Sequence, residues 1–422
     1  MSVWDKRTNE TWRNDVKKQV LIIGGGASGL MAAITAARKG ADVTVLEHMD
    51  RVGKKILSTG NGRCNLTNLF METDCYRCGQ KAFPMQVIQA FPVKDTLAFF
   101  DGIGILTKSR NGYIYPNSDQ ASSVLDALRL ETEHLGIRVV TSCKVKSAKR
   151  AGKGMFAVQT DQGEFRGHAL ILATGSKAAP VTGSDGSGYE LAKSFGHRII
   201  PPLPALVQLR CEGKHFRQLA GIRCEAALQV MINGKSAARD VGELQLTDYG
   251  ISGIPTFQIS RYVSAALFKG CRVTVYIDFL PSQTMEETKL FLKNRVHRFP
   301  DRTCGDFLTG VLNKKLAGVL LKMAGISSES LVSQVSSVRW ERLIEQIKHF
   351  EAHVTAANSF EQAQICCGGV DTREIYAQSM ESRLISGLYL IGELVDVDGI
   401  CGGYNLQWAW SSGYLAGMNS VR

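Results

Sequence analysis

The feature that most constrains this chain is Gly24-Gly25-Gly26-Ala27-Ser28-Gly29, which closes the apolar run Val20-Leu21-Ile22-Ile23. Glycines at 24, 26 and 29 give G-x-G-x-x-G directly after a predicted strand, and an alanine-rich helical segment, Leu30 to Arg38, follows. The first glycine permits the tight turn, the second lets a pyrophosphate reach the backbone, and the third lets helix and strand pack closely. The helix N-terminus, with Ala27 and Ser28 in its first turn, offers free N–H groups and the positive end of the helix dipole to phosphates. A second strand, Val43 to Leu46, ends in Glu47, whose carboxylate suits a ribose 2′-hydroxyl and repels a 2′-phosphate. The segment is a dinucleotide site, and its rival is a glycine-rich turn in an unrelated α/β unit.

Length implies two or three domains, because 422 residues exceed what one hydrophobic core serves. No apolar run approaches the ~18 residues of a membrane span, so no membrane partner is expected. Residues 1–17 are polar and are expected to form an N-terminal extension rather than a signal peptide. Eleven cysteines, odd in number and scattered, show no disulfide framework and point to a reducing, cytoplasmic setting. The net charge of +11 suits an anionic cofactor and an anionic substrate. Lys and Arg are dispersed, so a nucleic-acid partner is the remoter reading.

Beyond Glu47, the stretch Arg51 to Asn68 mixes cations, glycines and small polar side chains, among them Lys54, Lys55, Gly60, Arg63, Cys64 and Asn65. A nicotinamide-binding half has no need of a second cradle there. An extended FAD does, because its ribityl chain and ring system lie past the pyrophosphate. The rival is a basic surface loop. The run Ala169 to Leu172 reads as a buried strand ending in Ala173-Thr174-Gly175, a small-residue turn beside which a dinucleotide can pass. Leu388 to Ile391 is another buried strand, ending in Gly392 and Glu393. Gly402-Gly403-Tyr404-Asn405-Leu406-Gln407 then opens a helix running to Ala416-Gly417. Val145 completes the expected cofactor set.

The segments Gly53-Lys54-Lys55, Thr59-Gly60-Asn61-Gly62-Arg63-Cys64-Asn65-Leu66-Thr67-Asn68, Arg110 to Ser118, Pro202 to Val207, Met380 to Arg383 and Asp396 to Gln407 carry a resemblance. Together they resemble a family of bacterial and archaeal NAD(P)/FAD-dependent flavoproteins. That family includes the 3-dehydro-bile acid Δ4,6-reductase of gut clostridia and an aminoacetone oxidase. The likeness spans nearly the whole chain. It implies that Glu393 grips a ribityl hydroxyl and that the helix opened by Gly403 faces the flavin pyrimidine. In the segment Leu246 to Gly253, Asp248 stands where many relatives carry histidine; it is either a solvated turn or a change at the substrate.

The expected fold is α/β: a Rossmann-like FAD-binding domain with an inserted β-rich subdomain and a helical subdomain. Residues 18–204 begin the FAD domain, 205–280 form the β-rich subdomain, 281–354 the helical subdomain, and 355–422 return to the FAD domain. Short β-rich runs appear at 206–209, 227–232 and 273–277, and Asn233-Gly234 is a hairpin signal. Leu290, Leu292, Leu308, Leu312, Leu316, Leu320 and Leu321 are spaced as buried helical stripes. Gly183 to Gly188 has no strand leading into it and reads as a turn before a helix from Tyr189 to Phe195, not as a nicotinamide site. The Cys75-x-x-Cys78 pair is expected in a polar loop, vicinal Cys366-Cys367 beside a Gly368-Gly369 turn, and no metal site or nucleophile–His–carboxylate signature stands out.

With FAD carrying the redox chemistry, the protein must orient a substrate and supply a proton. By resemblance, the leading reaction is NAD(P)H-driven reduction of a conjugated carbon–carbon double bond in a 3-oxo steroid or bile acid, an apolar small molecule with an anionic tail. Candidate proton donors are Tyr113, Tyr115, Tyr249 and Tyr404. One alternative is an amine or aminoketone oxidase using O2. A remoter one is an RNA-binding or RNA-modifying flavoprotein.

Overall fold

A computed structural model describes residues 17–422; the predicted polar extension falls almost wholly outside the described residues. The strand Gln19–Ile23 pairs in parallel with Asp42–Leu46 on one side and with Ala169–Leu172 on the other. Arg138–Val140 and Leu388–Leu390 extend the two edges, giving a five-stranded parallel sheet. Val20 to Ile23 and Ala169 to Leu172 are buried throughout. That explains why they read as unbroken apolar runs rather than alternating ones, since both sheet faces are covered. The strands added after Gln19–Ile23 lie first on its Asp42–Leu46 side and later on its Ala169–Leu172 side, and the crevice above the carboxyl ends at that reversal is where such sheets bind dinucleotides.

The helix Ala27–Arg38 covers one face, and the C-terminal helix Tyr404–Asn419 packs against it through Gly413 and Gly417. A Cβ on Gly413 would lie 2.4 Å from the Ser28 carbonyl oxygen, and one on Gly417 would lie 2.6 Å from that of Ala32. Bare glycines four residues apart therefore let two backbones touch.

The inserted region is built on a closed six-stranded barrel: Leu209–Cys211, Gly250–Gly253, Lys235–Thr247, Arg223–Ile232, Val273–Asp278 and Phe350–Ala357, in spatial order. Asn233 and Gly234 both take positive φ, 48° and 79°, between the two long strands, so the hairpin forms where Asn-Gly marks it. One expected boundary changes here. The strand Phe350–Ala357 crosses the boundary set at residue 354 and closes the barrel against Val273–Asp278 and Leu209–Cys211. The expected helical part is the set Met285–Arg298, Cys304–Phe307, Lys314–Met323 and Ser337–Lys348, which packs on the barrel in one hydrophobic core including Leu228, Val275, Phe307, Leu320 and Leu343. Leu290 is 59% exposed and drops out of the predicted buried stripe, while Leu292, Leu308, Leu316, Leu320 and Leu321 are buried.

The chain passes between the two parts through the antiparallel pair Ile199–Ala205 and Ile365–Val370. Cys366, Cys367, Gly368 and Gly369 lie within the second of these strands. A Cβ on Gly368 would sit 2.3 Å from the Pro201 carbonyl oxygen, which ties the two linkers tightly. No helix among the described residues is long and apolar enough to cross a membrane.

Candidate functional site

One cavity of about 900 Å³ runs from the glycine turn at Gly24 to the barrel helix Ile254–Phe268, near the upper end of the roughly 300–1,000 Å³ usual for ligand sites. Its two halves differ in chemistry.

The first half is polar and glycine-lined. Gly24 takes φ +102°, and a Cβ there would meet the Ala173 carbonyl oxygen at 2.4 Å; a Cβ on Gly26 would meet nothing within 4 Å. Gly26 caps the helix Ala27–Arg38 without any side-chain hydrogen bond, so its first N–H groups face the cavity uncapped. Gly29 lies outside the lining and instead approaches Gly24, with a Cβ position 2.0 Å from the Gly24 carbonyl oxygen. Glu47 is buried, and its two carboxylate oxygens accept the N–H groups of Gly25 (2.8 Å) and Met49 (2.8 Å), which locks it against the glycine turn.

Lys55 Nζ donates to Glu393 Oε2 (2.7 Å) and to the Ala178 carbonyl (3.2 Å), and Ser176 Oγ donates to the same Glu393 oxygen (2.9 Å). Residues 338 apart in sequence thus meet on one wall. Lys54, Gly60, Arg63, Asn65, Val145, Ala173, Thr174 and Gly175 also line this half. So do His48, Arg51, Gly183, Ser184 and Asp185; Arg51 opens the expected cradle stretch, Gly183 to Asp185 fall in the expected turn, and His48 is the one that sequence reasoning passed over. The segment 183–188 leads into the helix Ser187–Ser194. His48 directly follows Glu47, and that position was the available signal.

At the far end of this half, Gly402 and Gly403 (φ 121° and 93°) start the helix Tyr404–Asn419, and Asn405 holds the preceding turn by accepting from Gly399 N–H (2.8 Å) and donating to its carbonyl (3.0 Å). Gly403, Asn405 and Leu406 line the cavity. The Tyr113 ring lies over Gly402, where a Cβ would come within 2.6 Å of its Cε1. Tyr113 is 39% exposed and faces the cavity together with half-buried Tyr115, whose phenol is held above its ordinary range by burial.

The second half is apolar: Leu206, Ile254, Phe257, Ile365, Ile400 and Cys401. Burial pushes the Cys401 thiol up to about 12, so it is a wall and not a nucleophile.

Several expected site residues lie elsewhere. Cys64 is fully buried behind the loop, with its thiol pushed up to about 12 by desolvation. Gly392 lies outside the lining; its carbonyl accepts the Trp408 indole N–H (2.9 Å). Tyr404 turns its ring inward, edge-on to Tyr76 at 6.0 Å, and burial raises its phenol well above the ordinary range. Tyr249 sits in the barrel under Arg210, with Asn358 on its hydroxyl (3.3 Å), away from the cavity. Its neighbour Asp248 occupies an exposed turn. Cys75 immediately precedes and Cys78 ends a short strand, Tyr76–Cys78, rather than lying in a polar loop, and burial lifts the Cys78 thiol to about 11.

The structure also holds a Ser–His–Glu array with no local sequence signature. His197 contacts Glu374 Oε2 through Nδ1 (3.0 Å) and Ser382 Oγ through Nε2 (2.8 Å). Ser382 is 3% exposed and its oxygen accepts from Leu384 and Ile385 N–H (both 3.0 Å). That hydroxyl is a turn cap closed to any substrate.

The polar half fits an extended dinucleotide. Two uncapped helix N-termini open on it, Gly26 leaves a Cβ-sized gap at the first, and Thr174 Oγ1 is buried on its wall without a hydrogen-bond partner. Residues 18–419 match the family described as HI0933-like protein Rossmann domain. The chain belongs to the HI0933-like family. The HI0933-like proteins are FAD-binding Rossmann proteins, and membership makes this chain a flavin-dependent oxidoreductase. It is 46% identical to the 3-dehydro-bile acid delta(4,6)-reductase of Clostridium scindens, over 94% of this chain and 97% of that protein. It is 31% identical to the ribosomal RNA dihydrouridine synthase of Haemophilus influenzae, over 95% of this chain and 98% of the relative. The Escherichia coli protein of the same name is 29% identical over 95% and 97%.

Proposed function

We propose that this protein is an FAD-dependent reductase that saturates a carbon–carbon double bond conjugated to a carbonyl, with NAD(P)H as the diffusible electron donor. Its proposed substrate is a flat apolar 3-oxo-Δ4 or Δ6 steroid or bile acid. The observation that carries this reading is the apolar wall of Leu206, Ile254, Phe257, Ile365 and Ile400 facing the Tyr113 end of the polar half within one cavity. The relative named for Δ4,6 reduction of a 3-dehydro-bile acid supports it. The relatives named for making dihydrouridine support the chemistry independently, because that product also arises by saturating a carbonyl-conjugated C=C bond.

Gly24, Gly26, Ala27 and Ser28 would cradle the FAD pyrophosphate, Glu47 a ribose, Lys55, Asn65 and Glu393 the ribityl region, and Gly403 to Leu406 the ring. Bound FAD supplies hydride chemistry. The apolar wall excludes water and lays a planar substrate flat. The N-terminus of Tyr404–Asn419 favours negative charge at that end of the cavity, as an enolate requires. Tyr113, accessible and packed over Gly402, gives its hydroxyl proton to the substrate α-carbon, with Tyr115 beside it in the same lining.

The test is anaerobic: follow the flavin absorbance on adding NADH or NADPH, then add a 3-oxo-Δ4 steroid. Bleaching followed by steroid-driven reoxidation is the expected result. Absence of bleaching, with peroxide released from an aminoketone in air, would transfer the assignment to an oxidase. A second reading, reduction of a uracil base in RNA, is favoured by the two dihydrouridine synthase relatives and the +11 charge. Reoxidation by uridine-containing RNA but not by the steroid would select it.

A further inference from the structure

The barrel helix Ile254–Phe268 does more than wall the cavity. Ile254, Phe257, Gln258 and Arg261 fall at i, i+3, i+4 and i+7, a single helical face. The first two line the cavity. Gln258 Oε1 accepts the Cys401 N–H (2.9 Å), and Arg261 forks onto Asp398, Nε to Oδ2 at 2.7 Å and Nη2 to Oδ1 at 2.8 Å. The next residue, Tyr262, accepts Arg77 Nε on its hydroxyl (2.9 Å). Arg77 and Asp398 are themselves cross-strand partners in the pair Tyr76–Cys78 and Val397–Gly399. One face of one helix therefore holds the substrate wall, a loop at the cavity and both strands beneath that loop.

Asp398 is 3% exposed, and a buried ion pair contributes little net stability because desolvation offsets attraction. What the fork does supply is a fixed distance and a fixed plane. We propose that the Arg261–Asp398 pair is a positioning clamp between the two domains, setting the gap between the Ile254–Phe257 wall and the Ile400–Gly403 segment. The proposal rests on the reductase reading only for the substrate's identity; the clamp is defined by the two walls themselves.

The clamp carries a pH dependence. Arg261 from the helix and Arg77 from the paired strand favour the Asp398 carboxylate, while burial and Asp396 oppose it, and burial dominates, leaving the carboxyl at about 6; Cys78 and Cys367 also face it, but their thiols, pushed up to about 11 and about 12, are neutral at that pH. Above that pH Asp398 is a carboxylate paired with the Arg261 guanidinium; below it the carboxyl is protonated and the ion pair is lost, while Arg261 stays charged.

The experiment compares wild-type holoenzyme with Asp398→Asn, Arg261→Met, Arg261→Lys and the double variant Asp398→Asn/Arg261→Met. Hydrogen-exchange protection is read over residues 254–262 and 397–403 at pH 7.5 and 5.5, with flavin absorbance as a check on the cofactor domain. Asp398→Asn and Arg261→Met are expected to keep FAD and lose about tenfold in protection over both segments at pH 7.5. Arg261→Lys should lose less, the double variant no more than either single, and wild type should show the same loss at pH 5.5. Where an enone is turned over, KM rises about tenfold while kcat stays within about threefold. Wild-type protection at 397–403 in both charge-removing variants would overturn the clamp. So would a uniform loss that includes the Gln19–Ile23 sheet, since the pair would then be a general stabiliser. A wild-type enzyme that reduces no enone sinks the reductase reading and leaves the exchange comparison to decide the clamp.

Discussion

The two halves of the cavity are built from different materials. In the polar half the backbone itself is the wall. Side-chain-sized atoms on Gly24, Gly60 and Gly403 would collide with Ala173 O, Asn65 N and Thr67 O at 2.4, 2.6 and 2.6 Å. In the apolar half the wall is side chains, and two of them, Ile254 at 57% exposed and half-buried Phe257, are not tightly enclosed. A backbone wall cannot be reshaped without moving the fold, whereas a side-chain wall changes by single substitutions. That difference fits relatives which match over nearly their whole lengths yet are named for a bile acid and for ribosomal RNA.

Substitutions in each half sharpen the contrast. The largest effect is expected at Gly24→Ala, where positive φ and the clash with Ala173 O together cost about 3 kcal/mol. The purified variant should lack the flavin absorbance band. Wild-type FAD content in that variant would refute a backbone-built wall.

Next comes the seam between the halves. Asp398 holds its carboxyl at about 6 in the fold, against an ordinary 3.8. The folded state therefore binds the proton more tightly, and unfolding free energy should fall by about 3 kcal/mol as pH rises from about 3 to 7. Asp398→Asn should remove that slope in denaturant titrations. Acid thus stabilises the fold while it discharges the clamp, so stability and gap can be measured apart.

Tyr113→Phe should lower kcat about 100-fold with FAD content unchanged, the loss expected of a positioned acid. An unaltered kcat would hand the proton to Tyr115 or to solvent. The smallest of the four is Phe257→Ala, a purely apolar truncation in the side-chain wall. It should raise KM about tenfold and leave both flavin absorbance and kcat near wild type. If Phe257→Ala expelled FAD instead, the division into two halves would fail.

Much of the polar half was legible because its signals are local. Strand, glycine turn and helix at 19–38 follow one another without a gap, and a positive-φ glycine is required by its own backbone. The Asn233-Gly234 hairpin is local in the same way. Errors came where a residue's direction depends on packing. Tyr404 and Asn405 are adjacent, yet Asn405 faces the cavity and Tyr404 packs on Tyr76, because successive helical residues are about 100° apart and only the neighbouring strand decides the rotation. Cys64 likewise shares a loop with Arg63 and Asn65 but points into the core.

The sequence by itself determined a Rossmann-type dinucleotide site, the residues that make its turn, and an inserted region between residues about 205 and 355, because periodicity and glycine placement act over a few residues. Only the tertiary structure decided that Phe350–Ala357 closes the barrel across the helical insertion, that Lys55 meets Glu393, and that Arg261 meets Asp398. Those contacts join segments 70 to more than 300 residues apart. They are set by which surfaces the whole chain can bury together, a condition that no short window of sequence contains.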